Sequence, residues 1–319
     1  MIAVVGAAGT IGRKVLEFLE SWEAPAAARD FRLDGDEHVD ARDPASLERA
    51  LAGAAVCVNC ADYRLNLEVM EGALAAGAHY VDLGGLFHMT RRQLELDGRF
   101  REAGLTGILG MGSAPGKTNL LARMVIERLP RAPSSLEIWA ATRDPAAAGH
   151  PLPITYSAQT LLDELQLRPV VLREGELVEV EPLSGEARRE LPVVGEVDGI
   201  YTLHSELATL PSTFPSLREA SFRLSLSPGL VEKLLALGDE RPEPYVQSAE
   251  SVAVHFVEAD GESAAAITRG GSARSTAEPA ARAAAELAAA RISAPGVHPP
   301  EAAVSDPEGF LGMLDTELV

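Results

Sequence analysis

The feature that most constrains this chain is a glycine-rich turn near residue 1. An apolar run at residues 2–5 predicts a buried strand, and residues 13–22 predict an amphipathic helix, with glycines at positions 6, 9 and 12 between them. Such glycines permit a tight turn, the approach of a pyrophosphate and close helix–strand packing, while the helix N-terminus attracts the phosphates. The residues predicted to bind a dinucleotide cofactor here are Gly6, Ala8, Gly9, Thr10, Ile11 and Gly12.

Length and charge limit the class of protein. The 319 residues suit one large domain or two ordinary ones. The 47 acidic and 28 basic residues give a formal net charge of −19, which argues against nucleic-acid or anionic-membrane binding, because both need a basic surface. No apolar run approaches the ~18–20 residues of a membrane helix. With two cysteines and no leader-like start, we expect a cytoplasmic protein that binds a small molecule.

The ribose end of the cofactor site leaves both NAD and NADP open. A weak second strand at residues 26–28 leads to Arg29 and Asp30. Asp30 can accept a hydrogen bond from a ribose 2′-hydroxyl, whereas Arg29 can hold a 2′-phosphate. The helix that usually follows this strand is almost missing, because residues 38–40 already look like a third strand. The adenosine side of the site is therefore abbreviated.

Polar residues follow the later strands of this first domain. We expect strands at residues 55–60, 79–83 and 106–109, and helices at residues 45–52, 65–76, 93–103 and 119–129. Open parallel sheets bind ligands beyond the carboxyl ends of their strands. This position predicts cofactor contacts from Ala61, Asp62, Tyr63 and Gly84, and substrate contacts from Tyr63 and Pro115.

Two motifs that resemble other chemistries are excluded. Cys57 and Cys60 form a CxxC pair, but residues three apart on a strand point to opposite faces, and no second pair completes a metal site. We therefore expect buried packing and no metal. Residues 110–117 resemble a P-loop, yet Met111 stands where that motif requires glycine.

A second domain begins near residue 130. Residues 1–130 are the predicted dinucleotide-binding domain, residues 131–275 a second domain to which the resemblance described below assigns substrate binding and dimerisation, and residues 276–319 a return segment that packs on the first domain. A hairpin that turns at Glu174 and Gly175, and alternating runs at 222–226 and 252–257, predict a largely antiparallel sheet with helices on one face.

The predicted catalytic residues are His204, Glu206 and Asp82. On a strand, His204 and Glu206 would share a face, with the carboxylate orienting the ring or binding an ammonium group. Acid–base catalysis needs a group that accepts a proton in one direction and donates it in the other, and histidine suits this at neutral pH. The alternative is an ordinary hydrogen-bonded histidine on an exposed strand. Arg223 and Tyr156 are candidate substrate contacts, with a salt bridge and core packing as their alternatives.

Several segments, taken in order, resemble the saccharopine dehydrogenase family, and most closely its lysine 6-dehydrogenase-like branch. They are residues 62–63 (DY), 79–85 (HYVDLGG), 112–116 (GSAPG), 156–164 (YSAQTLLDE) and 201–211 (YTLHSELATLP). The resemblance implies an α/β protein with a Rossmann domain, that is, a doubly wound parallel sheet. A mixed α+β domain would form the substrate pocket and usually a homodimer interface.

The resemblance further implies an NAD(P)-dependent oxidoreductase of amino-acid metabolism that acts on the C–N bond of an amino acid or a related amine. Two alternatives stay open. The shortened adenosine side is compatible with a non-catalytic dinucleotide-binding sensor or degenerate homologue. The same fold is also compatible with reductive condensation of an amine with a carbonyl compound.

Overall fold

The computed structural model describes residues 1–319, which form fifteen β-strands and twelve α-helices. The strands are β1 (Ile2–Val5), β2 (Ala26–Arg29), β3 (Val56–Asn59), β4 (His79–Asp82), β5 (Thr106–Ile108), β6 (Ser135–Arg143), β7 (Val170–Arg173), β8 (Glu176–Glu179), β9 (Ala187–Leu191), β10 (Gly195–Tyr201), β11 (Glu219–Leu224), β12 (Val252–Ala259), β13 (Glu262–Arg269), β14 (Gly296–His298) and β15 (Glu317–Leu318). The helices are α1 (Thr10–Ser21), α2 (Pro44–Leu51), α3 (Asn66–Ala76), α4 (Leu86–Leu94), α5 (Asp97–Glu102), α6 (Lys117–Arg128), α7 (Ala158–Gln166), α8 (Glu206–Thr213), α9 (Pro228–Leu235), α10 (Gly271–Ala288), α11 (Pro300–Ala303) and α12 (Pro307–Gly312). None of the helices combines the length and the apolar character that crossing a bilayer requires.

The chain divides into two compact units. The first unit contains residues 1–116 and 276–305, and the second contains residues 117–275 and 306–319. The predicted boundary lies at residue 130, whereas the division falls after residue 116, because α6 packs against β12 and β13 of the second unit. Of the predicted return segment, residues 276–305 belong to the first unit. The last fourteen residues instead belong to the second, where β15 pairs with β13.

The first unit is built on a six-stranded parallel sheet with the order β14-β5-β4-β3-β1-β2. Its central strands β1, β3 and β4 are apolar except at their ends, since helices cover both faces of a parallel sheet. In β1 every residue is buried. The core that packs around the sheet includes Val5, Leu47, Tyr80 and Phe100. This sheet confirms the predicted Rossmann fold class.

One predicted strand of this sheet is wrong. Residues 38–40 make only a single bridge, between His38 and Asp30, and do not form a strand. Only Val39 of the three is fully buried, so the segment has one apolar contact with which to hold a ladder. The connection after β2 is a single 3-10 turn at Gly35–Glu37, as the abbreviated sequence predicted.

Local capping sets two helix boundaries in the first unit, whereas one predicted helix is divided in two. The side chain of Asp43 accepts a hydrogen bond from the backbone N–H of Ala45 at the start of α2, and Gly77 ends α3 in a left-handed conformation. The single helix predicted at residues 93–103 is wrong, because α4 and α5 are separate. Asp97 begins α5 and accepts a hydrogen bond from the backbone N–H of Val297 in β14, so the chain turns to meet that strand.

The second unit is built on a nine-stranded sheet with the order β15-β13-β12-β6-β11-β10-β9, in which β7 also pairs with β11, and β8 pairs with β7. Neighbouring strands are antiparallel except β6 and β11, so the predicted mixed, largely antiparallel sheet is confirmed. Glu174 and Gly175 both have positive φ in the turn of the predicted hairpin. One face of the sheet carries an apolar cluster around Trp139 and Val254.

The glycine turn gives a stability prediction for the first unit. A Cβ at Gly12 would lie 2.2 Å from the carbonyl oxygen of Gly6, so Gly12→Ala forces the turn and α1 apart. We expect the free energy of unfolding to fall by about 1–3 kcal/mol, the usual cost of overpacking. The matched control is Gly98→Ala in α5, where a Cβ meets nothing within 4 Å. Thermal unfolding followed by circular dichroism measures both, and equal melting temperatures would contradict the packing argument.

Candidate functional site

The glycine turn between β1 and α1 has a packed side and a bare side. A Cβ at Gly6, which has a φ of 79°, would lie 2.6 Å from the backbone of Cys60 and Ala61. At Gly9, by contrast, a Cβ would meet only the carbonyl oxygen of Gly6 at 3.2 Å and the guanidinium of Arg32 at 3.7 Å. No side chain caps the N-terminus of α1. The bare backbone at Gly9 and the uncapped N–H groups of Thr10 and Ile11 at the start of α1 therefore fit a pyrophosphate, whereas the N–H of the predicted residue Ala8 already donates to Asp30.

Asp30 stands directly after β2, where a ribose is expected, but its carboxylate is already bonded. Its Oδ1 accepts hydrogen bonds from the backbone N and the Nε of Arg32, at 2.9 and 3.0 Å. Its Oδ2 accepts from the backbone N of Ala8 at 3.0 Å and the Nη2 of Arg32 at 3.2 Å. Burial alone would raise the pKa of Asp30, yet the hydrogen bonds from Arg32 and Ala8 outweigh it, so the pKa lies below its usual value.

The two arginines beside Asp30 differ in what they contact. Arg29, the predicted phosphate holder, donates hydrogen bonds to the carbonyl oxygens of Ala50 and Ala28, both at 2.7 Å. Arg32, which the sequence reasoning missed, pairs with Asp30 and keeps 46% of its side chain exposed. Its position two residues beyond Asp30, the acidic residue that follows β2, is the signal that could have found it.

Asp82 lies at the tip of β4 and ties together the loops at this edge of the sheet. Its side chain is fully buried; Oδ1 accepts from the backbone N of Gly84 at 2.9 Å and of Gly110 at 2.6 Å. Oδ2 accepts from Gln93 at 2.6 Å and from Tyr80 at 3.1 Å. Burial raises the pKa of Asp82 despite these hydrogen bonds. With its oxygens occupied, this predicted catalytic residue is placed to position loops, not to touch a substrate.

The other predicted contacts at this edge differ in exposure. Asp62 is exposed and forms an ion pair with Arg64, while Tyr63 is partly exposed beside the same guanidinium. Ala61 donates its backbone N–H to the side chain of Asn59 at 3.1 Å. Pro115 is buried, and its carbonyl oxygen accepts from the backbone N of Gly112 at 2.9 Å within the loop. The roles of these residues in binding stay predictions.

The CxxC pair lies in the core beside this edge. Cys57 is fully buried and Cys60 is partly exposed. Burial and the nearby charge of Asp82 raise the pKa of Cys60 to about 12, and burial also raises that of Cys57. Both thiols are therefore protonated at neutral pH and lack the thiolate that redox or metal chemistry requires.

In the second unit, His204 and Glu206 meet, although not on a strand. The predicted strand is wrong: β10 ends at Tyr201, and Glu206 begins α8. The turn between these elements still brings the Nδ1 of His204 to 3.0 Å from the Oε2 of Glu206. The imidazole stacks on the ring of Phe222 in β11, with centroids 3.6 Å apart. These contacts fix the orientation of the ring.

A second carboxylate, from α7, faces the other side of this ring. The Oε2 of Glu164 lies 3.8 Å from the Nε2 of His204 and accepts a hydrogen bond of 2.7 Å from the hydroxyl of Tyr156. Thr118 in α6 donates to the Oε1 of Glu206 at 2.7 Å. Tyr156 is the partly exposed member of this otherwise buried group. The sequence reasoning missed Glu164 and Thr118, because nothing in the order of residues links α6 and α7 to residue 204.

The two carboxylates keep His204 charged. Burial alone would lower the pKa of His204, but the charges and hydrogen bonds of Glu206 and Glu164 raise it to about 10. His255, on β12, responds in the opposite way: burial and the nearby cations Lys117 and His204 lower its pKa to about 3. At neutral pH the group therefore holds one imidazolium, His204, which is placed to donate a proton.

Arg223, the predicted carboxylate binder, is already used within the second unit. Its Nε donates to the carbonyl oxygen of Gly185 at 2.9 Å, and its Nη2 donates to the hydroxyl of Tyr201 at 2.9 Å. Its Nη1 donates to Ser221 at 3.1 Å and Glu137 at 3.3 Å. Since a guanidinium has five N–H groups, one remains, whereas a bidentate carboxylate contact needs two. The geometry thus disfavours Arg223 as a substrate contact.

Comparisons with known proteins agree with the predicted resemblance. Residues 22–108 match the family model described as the saccharopine dehydrogenase NADP binding domain. A curated relative, the carboxyaminopropylagmatine dehydrogenase of Synechocystis sp., is 23% identical over 191 residues, which cover 58% of this chain. The matched part spans 48% of that relative's length, about half of it. The resemblance to the saccharopine dehydrogenase family and the NAD(P) cofactor class are thereby confirmed.

Two solved structures are among those similar to this chain. The apo saccharopine dehydrogenase (L-Glu forming) from Saccharomyces cerevisiae matches with a TM-score of 0.70 and 14% identity, covering 100% of this chain and 99% of that chain. An amine dehydrogenase from Mycobacterium smegmatis matches with a TM-score of 0.47 and 13% identity, covering 93% and 94%. The yeast enzyme shares the fold of this chain.

The charged state of His204 predicts a pH dependence of stability. The pKa of His204 is raised from 6.5 to about 10 on folding, so its contribution to stability is fully present below about pH 6.5 and is lost as the pH rises toward 10. We expect the free energy of unfolding of the wild type to fall over this window more than that of His204→Gln. Urea denaturation at several pH values measures the difference, and parallel curves would contradict the charged state.

Proposed function

We propose that this protein is an NAD(P)-dependent oxidoreductase that acts on the C–N bond of an amino acid or related amine. The observation that carries the proposal is the buried imidazolium of His204, held between Glu206 and Glu164. The family match of residues 22–108 supplies the cofactor class. Amine–imine interconversion requires a hydride and a proton together, and the two units contain the features expected for one each.

The chain's own residues have distinct roles in this proposal. The bound nicotinamide supplies or accepts the hydride. The glycine turn binds the pyrophosphate through backbone N–H groups. Asp82 holds the loops that begin at Gly84 and Gly110 through its two short hydrogen bonds. These residues orient the cofactor, whereas the proton is handled in the second unit.

His204 donates the proton from Nε2. Its Nδ1–H is held by Glu206 at 3.0 Å, while the approach of Nε2 to Glu164 is longer, at 3.8 Å. The Nε2 proton is therefore the one less tightly held, and it is the one available to a substrate nitrogen. In the oxidative direction the same atom takes the proton back.

The charge state favours the reductive direction, and with it condensation of an amine with a carbonyl compound. A pKa of about 10 keeps His204 protonated at neutral pH, and amine formation needs a donor. The Synechocystis relative is named for carboxyaminopropylagmatine, itself an amine. Because the net charge is −19, cationic amines would be steered toward this chain. Agmatine and related polyamines with a small carbonyl partner are therefore the first substrates to test.

A non-catalytic dinucleotide-binding protein is the second candidate. The observation that favours it is the reduced adenosine side, where the sheet beyond β2 shrinks to the bridge between Asp30 and His38. Such a protein would bind the cofactor and turn over no amine. In either case we propose a cytoplasmic homodimer, on the resemblance alone, and light scattering after gel filtration tests the oligomeric state.

Cofactor binding is tested first, with Gly9→Asp. A carboxylate on the bare side of the turn repels the pyrophosphate, and circular dichroism verifies that the variant is folded, because a Cβ at Gly9 lies 3.2 Å from the carbonyl oxygen of Gly6. We expect calorimetric titration of the wild type to give micromolar affinity for NADP⁺ or NAD⁺ and of the variant to give none. Gly98→Asp, at an open position in α5, is the matched control and should bind as the wild type does. Undiminished binding by Gly9→Asp would exclude the turn as the pyrophosphate site.

Turnover is tested with His204→Gln. NADPH consumption in the presence of both amine and carbonyl compound should fall by about 10²–10⁴-fold, the usual contribution of a general acid. The Kd of NADPH should not change. The exposed His88 supplies the control His88→Gln, with expected wild-type turnover. Cofactor binding without turnover of any amine by the wild type would support the non-catalytic candidate.

A further inference from the structure

The carboxylate that would receive a ribose hydroxyl is fully engaged inside the protein. A carboxylate offers about four lone-pair sites. In Asp30, which is 2% exposed, all four accept hydrogen bonds, three from Arg32 and one from Ala8. While Arg32 stays in place, Asp30 has no acceptor left for the 2′-hydroxyl of NAD.

The group that faces solvent at this position is a cation. The side chain of Arg32 is 46% exposed, and its Nη2 lies 3.7 Å from the position of a Cβ at Gly9, on the bare side of the glycine turn. A guanidinium binds phosphate oxygens in a planar, bidentate geometry. The exposed surface where the ribose is expected thus suits a phosphate rather than a hydroxyl.

We propose that Arg32 selects NADP over NAD in two ways, by binding the 2′-phosphate and by masking Asp30. This inference rests on the proposed function in one respect, that a dinucleotide binds at the glycine turn. It assigns the preference to one side chain. Removing that side chain deletes the phosphate contact and frees Asp30 for a ribose hydroxyl, so the preference inverts.

The neighbouring Phe31 serves both cofactors alike. Its side chain is 68% exposed, an unusual position for a large aromatic residue, and its ring centroid lies 5.4 Å from the Cζ of Arg32. An exposed aromatic ring beside a nucleotide site stacks on a base. Because NAD and NADP carry the same adenine, loss of Phe31 weakens both equally. It therefore separates general binding from selection at the 2′ position.

The experiment is calorimetric titration of the full chain with NADP⁺, NAD⁺ and 2′,5′-ADP, which carries the 2′-phosphate without nicotinamide. We expect the wild type to bind NADP⁺ and 2′,5′-ADP at least about 10-fold more tightly than NAD⁺. In Arg32→Ala, affinity for both 2′-phosphates falls by about 10- to 100-fold, as for one charged hydrogen-bonded contact, and affinity for NAD⁺ rises. Arg42→Ala, at an exposed arginine on the loop before α2, changes neither.

Two further variants separate the contact between Arg32 and the 2′-phosphate from the hydrogen bonds by which Arg32 occupies Asp30. Arg32→Gln removes the charge but keeps an amide that can donate a hydrogen bond to Asp30. We therefore expect the affinity for NADP⁺ to fall, and the affinity for NAD⁺ to rise less than it does in Arg32→Ala. Phe31→Ala lowers the affinity for NADP⁺ and the affinity for NAD⁺ by the same factor. Circular dichroism verifies that each variant is folded, and Arg32→Gln stands in for Arg32→Ala if that variant unfolds.

Three outcomes would overturn the inference. Equal affinities of the wild type for NADP⁺ and NAD⁺ would remove the preference. An equal loss of affinity for both cofactors in Arg32→Ala would show that Arg32 supports the structure of the site and does not select between the cofactors. Failure of the wild type to bind any of the three nucleotides would instead reject the proposed dinucleotide site itself, and the inference with it.

Discussion

The close packing of one turn against one neighbouring strand sets the geometry of the first unit. Gly6 lies against the backbone of Cys60 and Ala61, and Gly12 lies against the carbonyl oxygen of Gly6. Because no Cβ fits at either position, β1, α1 and the end of β3 share one rigid corner. Gly9, between them, keeps its outer side bare. In this corner Gly6 and Gly12 allow close packing, while Gly9 leaves its backbone exposed.

Both units stabilise a buried ionisable side chain in the same way. Hydrogen bonds or opposite charges surround the side chain in each case. Asp82 is buried yet joined to two backbone N–H groups and several side chains, so it fixes the loops at the carboxyl edge of the parallel sheet. His204 is buried between Glu206 and Glu164, which hold its proton. An unpaired charge in either place would be strongly destabilising. The partners that prevent this also fix the orientation of the side chain.

The pairing also decides what each group can do. Asp82 has no oxygen left for a ligand, so its effect passes through the loops that it holds. His204 keeps a longer, weaker approach at Nε2 and stays protonated at neutral pH, so it is suited to donate a proton. The same principle separates Arg223, which has one N–H left, from Arg32, which stays nearly half exposed. Residue type alone does not distinguish Arg223 from Arg32, because their difference lies in the contacts that each guanidinium makes.

The sequence by itself determined the glycine turn, the Glu174–Gly175 hairpin and the adjacency of His204 and Glu206, because these depend on residues close together in the chain. It also indicated the parallel sheet, because the strands of that sheet are short apolar runs separated by helical segments. Local rules were insufficient at residues 38–40 and 93–103, where pairing with distant residues decides whether an element forms or breaks. Only the tertiary structure brought Glu164 to His204, placed Arg32 rather than Arg29 at the bare side of the turn, and enclosed Asp82. Those contacts join residues far apart in sequence or choose between adjacent side chains, and both are set by how the elements pack.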